Sequence, residues 1–201
     1  MALTVDALAV QPRWDPARVL ALPGRSRGDL VGAWGKNVVA RFGDDGLARV
    51  RQRLPTPLDR LELIQSSRDW LPVYAQLLVT EAIVDELLSG DWRALYPLLV
   101  EDTRAGLGRV QLALLRAMGP SRALRLGPST FKKVHERGAH DIEVDGRRAR
   151  LSFRGSPLFA HPSWRILQLF ATRALLDLTA TPGDVIGEDS GDDSFVAIAT
   201  W

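Results

Sequence analysis

Three histidines, His135, His140 and His161, are the chain's only imidazoles, and two of them share the stretch VHERGAHDIEV. An imidazole can ligate a metal or haem iron, or move a proton near neutral pH. Spacing argues against a metal pair. A helix presents two ligands from one face at a separation of three or four, and a strand at two, whereas His135 and His140 are five apart. Glu136 and Asp141 stand beside them without completing a ligand pattern. The chain has no cysteine, which removes disulfides, thiolate metal sites and cysteine nucleophiles. The expectation is therefore no metal site, with His135 and His140 lying on the surface or in a loop where the helix STFKKVHERG meets a strand. His161 precedes Pro162 and is expected to cap or pack at a helix entry.

Other chemistry finds little support. No G-x-S-x-G motif occurs. Ser156 follows Gly155, but Pro157 has no N–H to offer an oxyanion. No phosphate-binding glycine loop is present. Asp189, Asp192 and Asp193 cluster in EDSGDD, without the spacing of an EF-hand loop, and read as a solvated turn. No catalytic constellation is identified, so no enzyme is expected. The most suggestive surface is basic. Arg148, Arg150 and Arg154 alternate onto one strand face, with Arg147, Lys132 and Lys133 nearby, and could meet an anionic ligand or an acidic partner. That face has none of the interleaved aromatics of an RNA-binding sheet, which argues against nucleic acid. Trp70, Tyr74, Trp92 and Tyr96 recur through the helical region and are candidates to line a ligand pocket.

The elements that would position these residues fall in two blocks. Residues 1–26 are broken by Pro12, Pro16, Pro23 and Gly24 and read as an extended or partly helical lead-in. Helical periodicity then runs through 27–137. Leu30, Ala33, Trp34, Val38 and Phe42 form one stripe, FGDDG breaks the run, and LPTPL breaks it again. SSRDWLPVYAQLLVTEAIVDELLSG is the strongest helical stretch, capped at Ser66 or Ser67 and stopped at Gly90. Near residue 138 the period changes to two. Ile142, Val144, Ala149, Leu151 and Phe153 alternate with polar residues about an Asp145-Gly146 turn. HPSWRILQLFATRALLDLTA is a helix, and GDVIGEDSGDDSFVAIATW returns to strands. The fold class is α+β. An N-terminal helical region packs on a C-terminal four-stranded antiparallel sheet with the order strand–strand–helix–strand–strand. Residues 27–201 are expected to form one domain, with a helical part over 27–137 and a sheet part over 138–201.

The length of 201 residues, with 46% hydrophobic and 25% charged residues, suits a globular protein with a sizeable core. The net charge of +2 does not argue for nucleic acid. The charge is uneven: Arg122–Arg154 holds nine Lys/Arg against four Asp/Glu, and six acids but no basic residue follow Arg173. No apolar run is long enough to span a membrane. MALTVDALAV lacks a signal peptide's basic start, so a cytoplasmic protein is expected.

GDLVGAWGKNVVARFGDDGLARVRQRL, LLRAMGPSRALRLGPSTFKKVHERG and RLSFRGSPLF together resemble a family of roughly 200-residue proteins of unknown function, expanded as paralogues in myxobacteria. The resemblance covers about residues 28–201. More distantly, the helices-then-sheet order and the opening glycine–valine–aromatic spacing are similar to haem-nitric-oxide-binding domains and to vinyl-4-reductase-type ligand-binding domains. These resemblances imply a sensory or regulatory domain binding a small apolar or anionic ligand between helices and sheet. The alternative is a protein-interaction or homodimerisation module without a ligand, and a third reading is an enzyme of unknown type. The haem domains use a proximal histidine on a helix before the sheet, and none precedes His135 here, so no haem and no other cofactor is expected.

Overall fold

The computed structural model describes residues 2–65, 68–188 and 191–201. Ser66, Ser67 and Asp189, singled out above, lie outside them. The chain divides into two compact units. One comprises Met1–Trp14, Leu99–Lys133 and Arg137–Trp201; the other comprises Asp15–Leu98 and Val134–Glu136.

The first unit is built on an antiparallel sheet. Among the described residues its strands are β1 (Ala2–Leu3), β4 (Ala139–Asp145), β5 (Arg148–Arg154), β6 (Asp184–Glu188) and β7 (Ser194–Thr200), in the order β1-β6-β7-β5-β4. The four expected strands gain a fifth, β1, from the N-terminus. The alternation of β4 and β5 sets the register: Ile142 faces Leu151 and Val144 faces Ala149. Ala149, Leu151 and Phe153 are buried while Arg148, Arg150 and Arg154 are exposed, as a one-sided sheet requires. The hairpin turn lies one residue further along than expected, at Gly146-Arg147, because Asp145 still pairs with Arg148.

Helix α8 (Pro162–Leu178) packs on β6 and β7, and α1 (Val5–Ala9) and α6 (Arg109–Leu124) pack on α8. Covered on more than one side, α8 buries Trp164, Ile166, Leu169 and Leu176 together, a wider face than one stripe. The core is aromatic. Phe159 and Phe195 are fully buried, and Trp164 meets Phe153 edge-on at 5.0 Å.

Residues 1–26 are partly helical. Thr4 caps α1, and Asp15 caps α2 (Pro16–Leu20) with Pro16 at the first helical position. Proline there opens a helix, because its missing N–H would have had no partner in the first turn.

In the second unit, α3 (Asp29–Arg53) packs on α4 (Tyr74–Leu87). The break expected at FGDDG is a kink in α3 at Gly43, whose φ of +68° suits glycine. Two short strands, β2 (Arg25–Arg27) and β3 (Trp70–Pro72), pair antiparallel. Trp70 and Leu71 are thus in a strand and not in the helix expected from their periodicity. Pro72 favours extended backbone before it, so α4 starts only at Tyr74. Helix α5 (Trp92–Gly106) begins in this unit, and α7 (Gly127–Val134) ends at its short 134–136 segment.

Candidate functional site

The structure separates the two neighbouring histidines. His135 follows α7 and belongs to the second unit, where its backbone bridges to Ser26. Glu136 continues that pairing, donating its N–H to the Arg25 carbonyl at 3.0 Å, and an Arg25–Glu136 ion pair of 3.0 Å closes it. The His135 ring is half-buried, and desolvation pushes its pKa down to about 4. It is a neutral imidazole at physiological pH.

His140 lies in β4 of the first unit, in phase with Ile142 and Val144 on the core side. It is neither in a loop nor on the surface, as its neighbours had suggested, but buried and stacked flat on Phe153 at 4.1 Å. Its Nδ1 lies 3.3 Å from the Ser152 carbonyl, which can only accept, so Nδ1 carries the proton. A carbon added at Gly127 would come within 2.8 Å of its Nε2. Burial lowers the pKa of His140, outweighing the opposing pull of the Ser152 carbonyl and Asp141. His161 is the N-cap of α8. Its Nδ1 accepts the Ser163 N–H at 3.2 Å, and its fully buried ring lies 5.0 Å from that of Trp14. Among the described residues no three His, Asp or Glu side chains converge as a metal site.

The arginine row is where the alternation placed it, and acids share it. Arg150 pairs with Glu188 at 2.7 Å, Arg154 pairs with Asp141, and Arg148 stands opposite Asp145 in the hairpin register. Such exposed pairs stabilise weakly and leave much of the row's charge compensated. Lys132 and Lys133 are exposed in the last turn of α7, where they complement the helix dipole.

The four aromatic candidates all belong to the second unit. Trp92 is buried at the start of α5, and Tyr96, half-buried, follows on the same helical face. Tyr74 is half-buried at the first position of α4. Trp70 is partly exposed in β3, with the Arg27 guanidinium 5.3 Å from its ring.

A cleft of about 500 Å³ that no sequence motif announces opens at the end of the sheet between Arg173, Pro182, Gly183, Asp184, Thr200 and Trp201. These residues are scattered along the chain, and no local pattern joins them. Arg173 is already engaged there, pairing with Asp177 at 3.2 Å and Asp184 at 3.6 Å and donating to the Gly183 carbonyl.

The sequence matches no protein-family model and no curated protein. Solved structures do match. An oxygen-binding H-NOX domain related to soluble guanylate cyclases, in its oxygen complex, superposes with a TM-score of 0.57 at 10% identity, covering 87% of this chain and 94% of that one. The fold is that of an H-NOX domain. The unliganded Fe(II) H-NOX protein from K. algicida gives 0.55 at 13% identity, covering 87% and 95% of the two chains. A structure described for the modulation of haem redox potential through porphyrin distortion gives 0.54 at 13%, covering 87% and 99%.

These H-NOX neighbours overturn the expectation of no cofactor, because haem is the group their fold implies. That expectation rested on the lack of a histidine before His135. At 10–14% identity the sequence position of an iron ligand need not persist, since any element that brings a neutral imidazole to the iron can serve. The histidines of this H-NOX-like chain can be tested as donors. His140 offers its Nε2 only against the backbone of α7, and His161 spends its Nδ1 on the helix cap. His135 is half-buried and neutral, the state an axial ligand needs. Burial lowers the pKa of both His135 and His140, so geometry chooses: the Gly127 backbone stands against the His140 Nε2 and the helix cap uses the His161 Nδ1, which makes His135 the candidate donor.

Proposed function

We propose that this chain is a sensory or regulatory domain of the H-NOX kind, which binds a small ligand and catalyses no reaction of its own. The observation that carries the reading is a fold shared over 87% of this chain with haem and oxygen-binding domains. Haem is the cofactor under this reading, and it joins the two ligand characters expected, an apolar ring and anionic carboxylates. Bound, it would supply an iron able to take a small gas molecule.

The chain's own residues would do the following. His135 would present a neutral nitrogen to the iron, kept deprotonated by its burial. Trp70, Tyr74, Trp92 and Tyr96 would supply apolar lining and exclude water. The four aromatics and His135 fall in the same compact unit, which favours assigning the ligand to that unit. Arg148, Arg150 and Arg154, with Lys132 and Lys133, would serve an acidic partner of the signalling output. Among the described residues no helix is long and apolar enough to cross a membrane, and we place the protein in the cytoplasm, as one of the myxobacterial paralogues its sequence resembles.

Native mass spectrometry of the protein purified without added cofactor tests this reading. A bound adduct of haem mass, or of another small molecule, supports it. A bare polypeptide mass that takes up neither hemin nor any extracted metabolite contradicts it.

A further inference from the structure

The first half of α6 carries an apolar seam that faces solvent. Val110, Ala113, Leu114 and Ala117 are all exposed, Val110 at 73% and Leu114 at 56%. Their separations of three, four and seven are those of a helix face built to receive another helix. Helix α6 also packs on α8, and its buried residues, Ala123 and Leu124, lie beyond a kink at Gly119, outside the seam. The helix start is fixed, because Gln111 folds back to accept the Gly108 N–H at 2.8 Å.

Charge identifies what fits it. Arg109 and Arg116, both exposed, each stand one residue before a seam position, at Val110 and Ala117. In a helix pair these flanking positions choose the partner by charge. From Thr103 to His135 the chain has seven Lys/Arg and no Asp or Glu. A second copy would bring arginine towards arginine in an antiparallel pairing and offer no acid in a parallel one. A membrane surface fits less well, since the seam lacks the bulky aromatic residues that anchor interfacial helices. We propose that the α6 seam is the docking site for an acidic amphipathic helix of another protein, with leucine-like side chains on Val110 and Leu114 and carboxylates on Arg109 and Arg116. This proposal does not depend on whether the chain binds haem.

The test uses the full chain and two labelled synthetic helices, both with leucine along the seam, one flanked by glutamate and one by lysine. Fluorescence anisotropy should show binding of the glutamate helix only. Leu114→Asp should weaken that binding at least tenfold, the effect of losing a buried apolar anchor. The double variant Arg109→Glu/Arg116→Glu should reverse the preference, binding the lysine helix. These positions are exposed, and circular dichroism checks that each variant is folded. Equal binding of both helices, binding unaffected by Leu114→Asp, or no binding would overturn the proposal. Recruitment to phosphatidylserine vesicles without helix binding would assign the surface to a membrane instead.

Discussion

Arg165 sits inside the protein, 5% exposed, on the face of α8 turned to the sheet. Its Nε donates to the Phe159 carbonyl at 2.9 Å, and one terminal nitrogen reaches the carbonyls of Gly191 at 3.2 Å and Ser194 at 3.3 Å. Its guanidinium carbon lies 5.5 Å from the ring centre of Phe195. One side chain thus ties the turn before α8, the β6–β7 connection and the first residue of β7. Replacing it with methionine keeps most of the volume and removes every donor. A hydrogen bond from a charged group contributes about 1.5–3 kcal/mol, and a buried acceptor left alone costs about 1–3 kcal/mol. The three bonds share one guanidinium and do not add. Relief of its desolvation and the apolar burial of methionine offset part of the loss. We expect Arg165→Met to destabilise by about 3 kcal/mol, read as a lowered urea midpoint at unchanged slope. Arg165→Lys should fall between, since an ammonium cannot span the three carbonyls with a planar fork. A loss below about 0.5 kcal/mol for Arg165→Met would refute the reasoning, because the carbonyls would then have other donors.

Two further perturbations are read in the same assay. Gly138 has φ +92°, and a carbon added there would lie 2.4 Å from Phe159 Cζ, so Gly138→Ala should destabilise by about 2 kcal/mol or more; an unchanged midpoint would contradict that packing. The histidines set the pH dependence. His135 titrates near 4 when folded against about 6.5 unfolded, so between those values the unfolded chain binds more protons and stability rises with pH. Stability should be flat in this respect above about pH 6.5 and fall on acidification towards pH 4, by up to about 3 kcal/mol from His135, with His140 acting in the same direction. His135→Gln should flatten that slope, and a wild-type midpoint that is unchanged or higher at pH 4.5 than at pH 7 would contradict the buried neutral ring.

Much of the fold is legible in the sequence because its signals are local. The alternation in IEVDGRRARLSF is a two-residue pattern whose phase alone gives the inward and outward faces of β4 and β5. The same phase puts His140 with Ile142 and Val144 on the inward face, although the neighbouring Gly138 and Asp141 have the character of a loop. Pro16 has the character of a chain breaker, although Asp15 before it makes the pair a helix start. Other features were out of reach. Strand β1 has two residues, too few for any period, and exists only because β6 offers an edge. Trp70 has helical spacing to Tyr74, yet its pairing with Arg27 across β2–β3 decides its conformation. The state of His135 depends on burial by residues distant in the chain, and no spacing rule reports it.

The most direct test of the central claim is a hemin titration of the purified chain, followed in the Soret region, beside His135→Gln and His140→Gln variants shown to be folded. The account predicts a saturable, sharpened Soret band with one equivalent of hemin, lost or shifted in His135→Gln and kept in His140→Gln. The absence of a saturable band in the wild-type protein, or a band indifferent to His135, would contradict it.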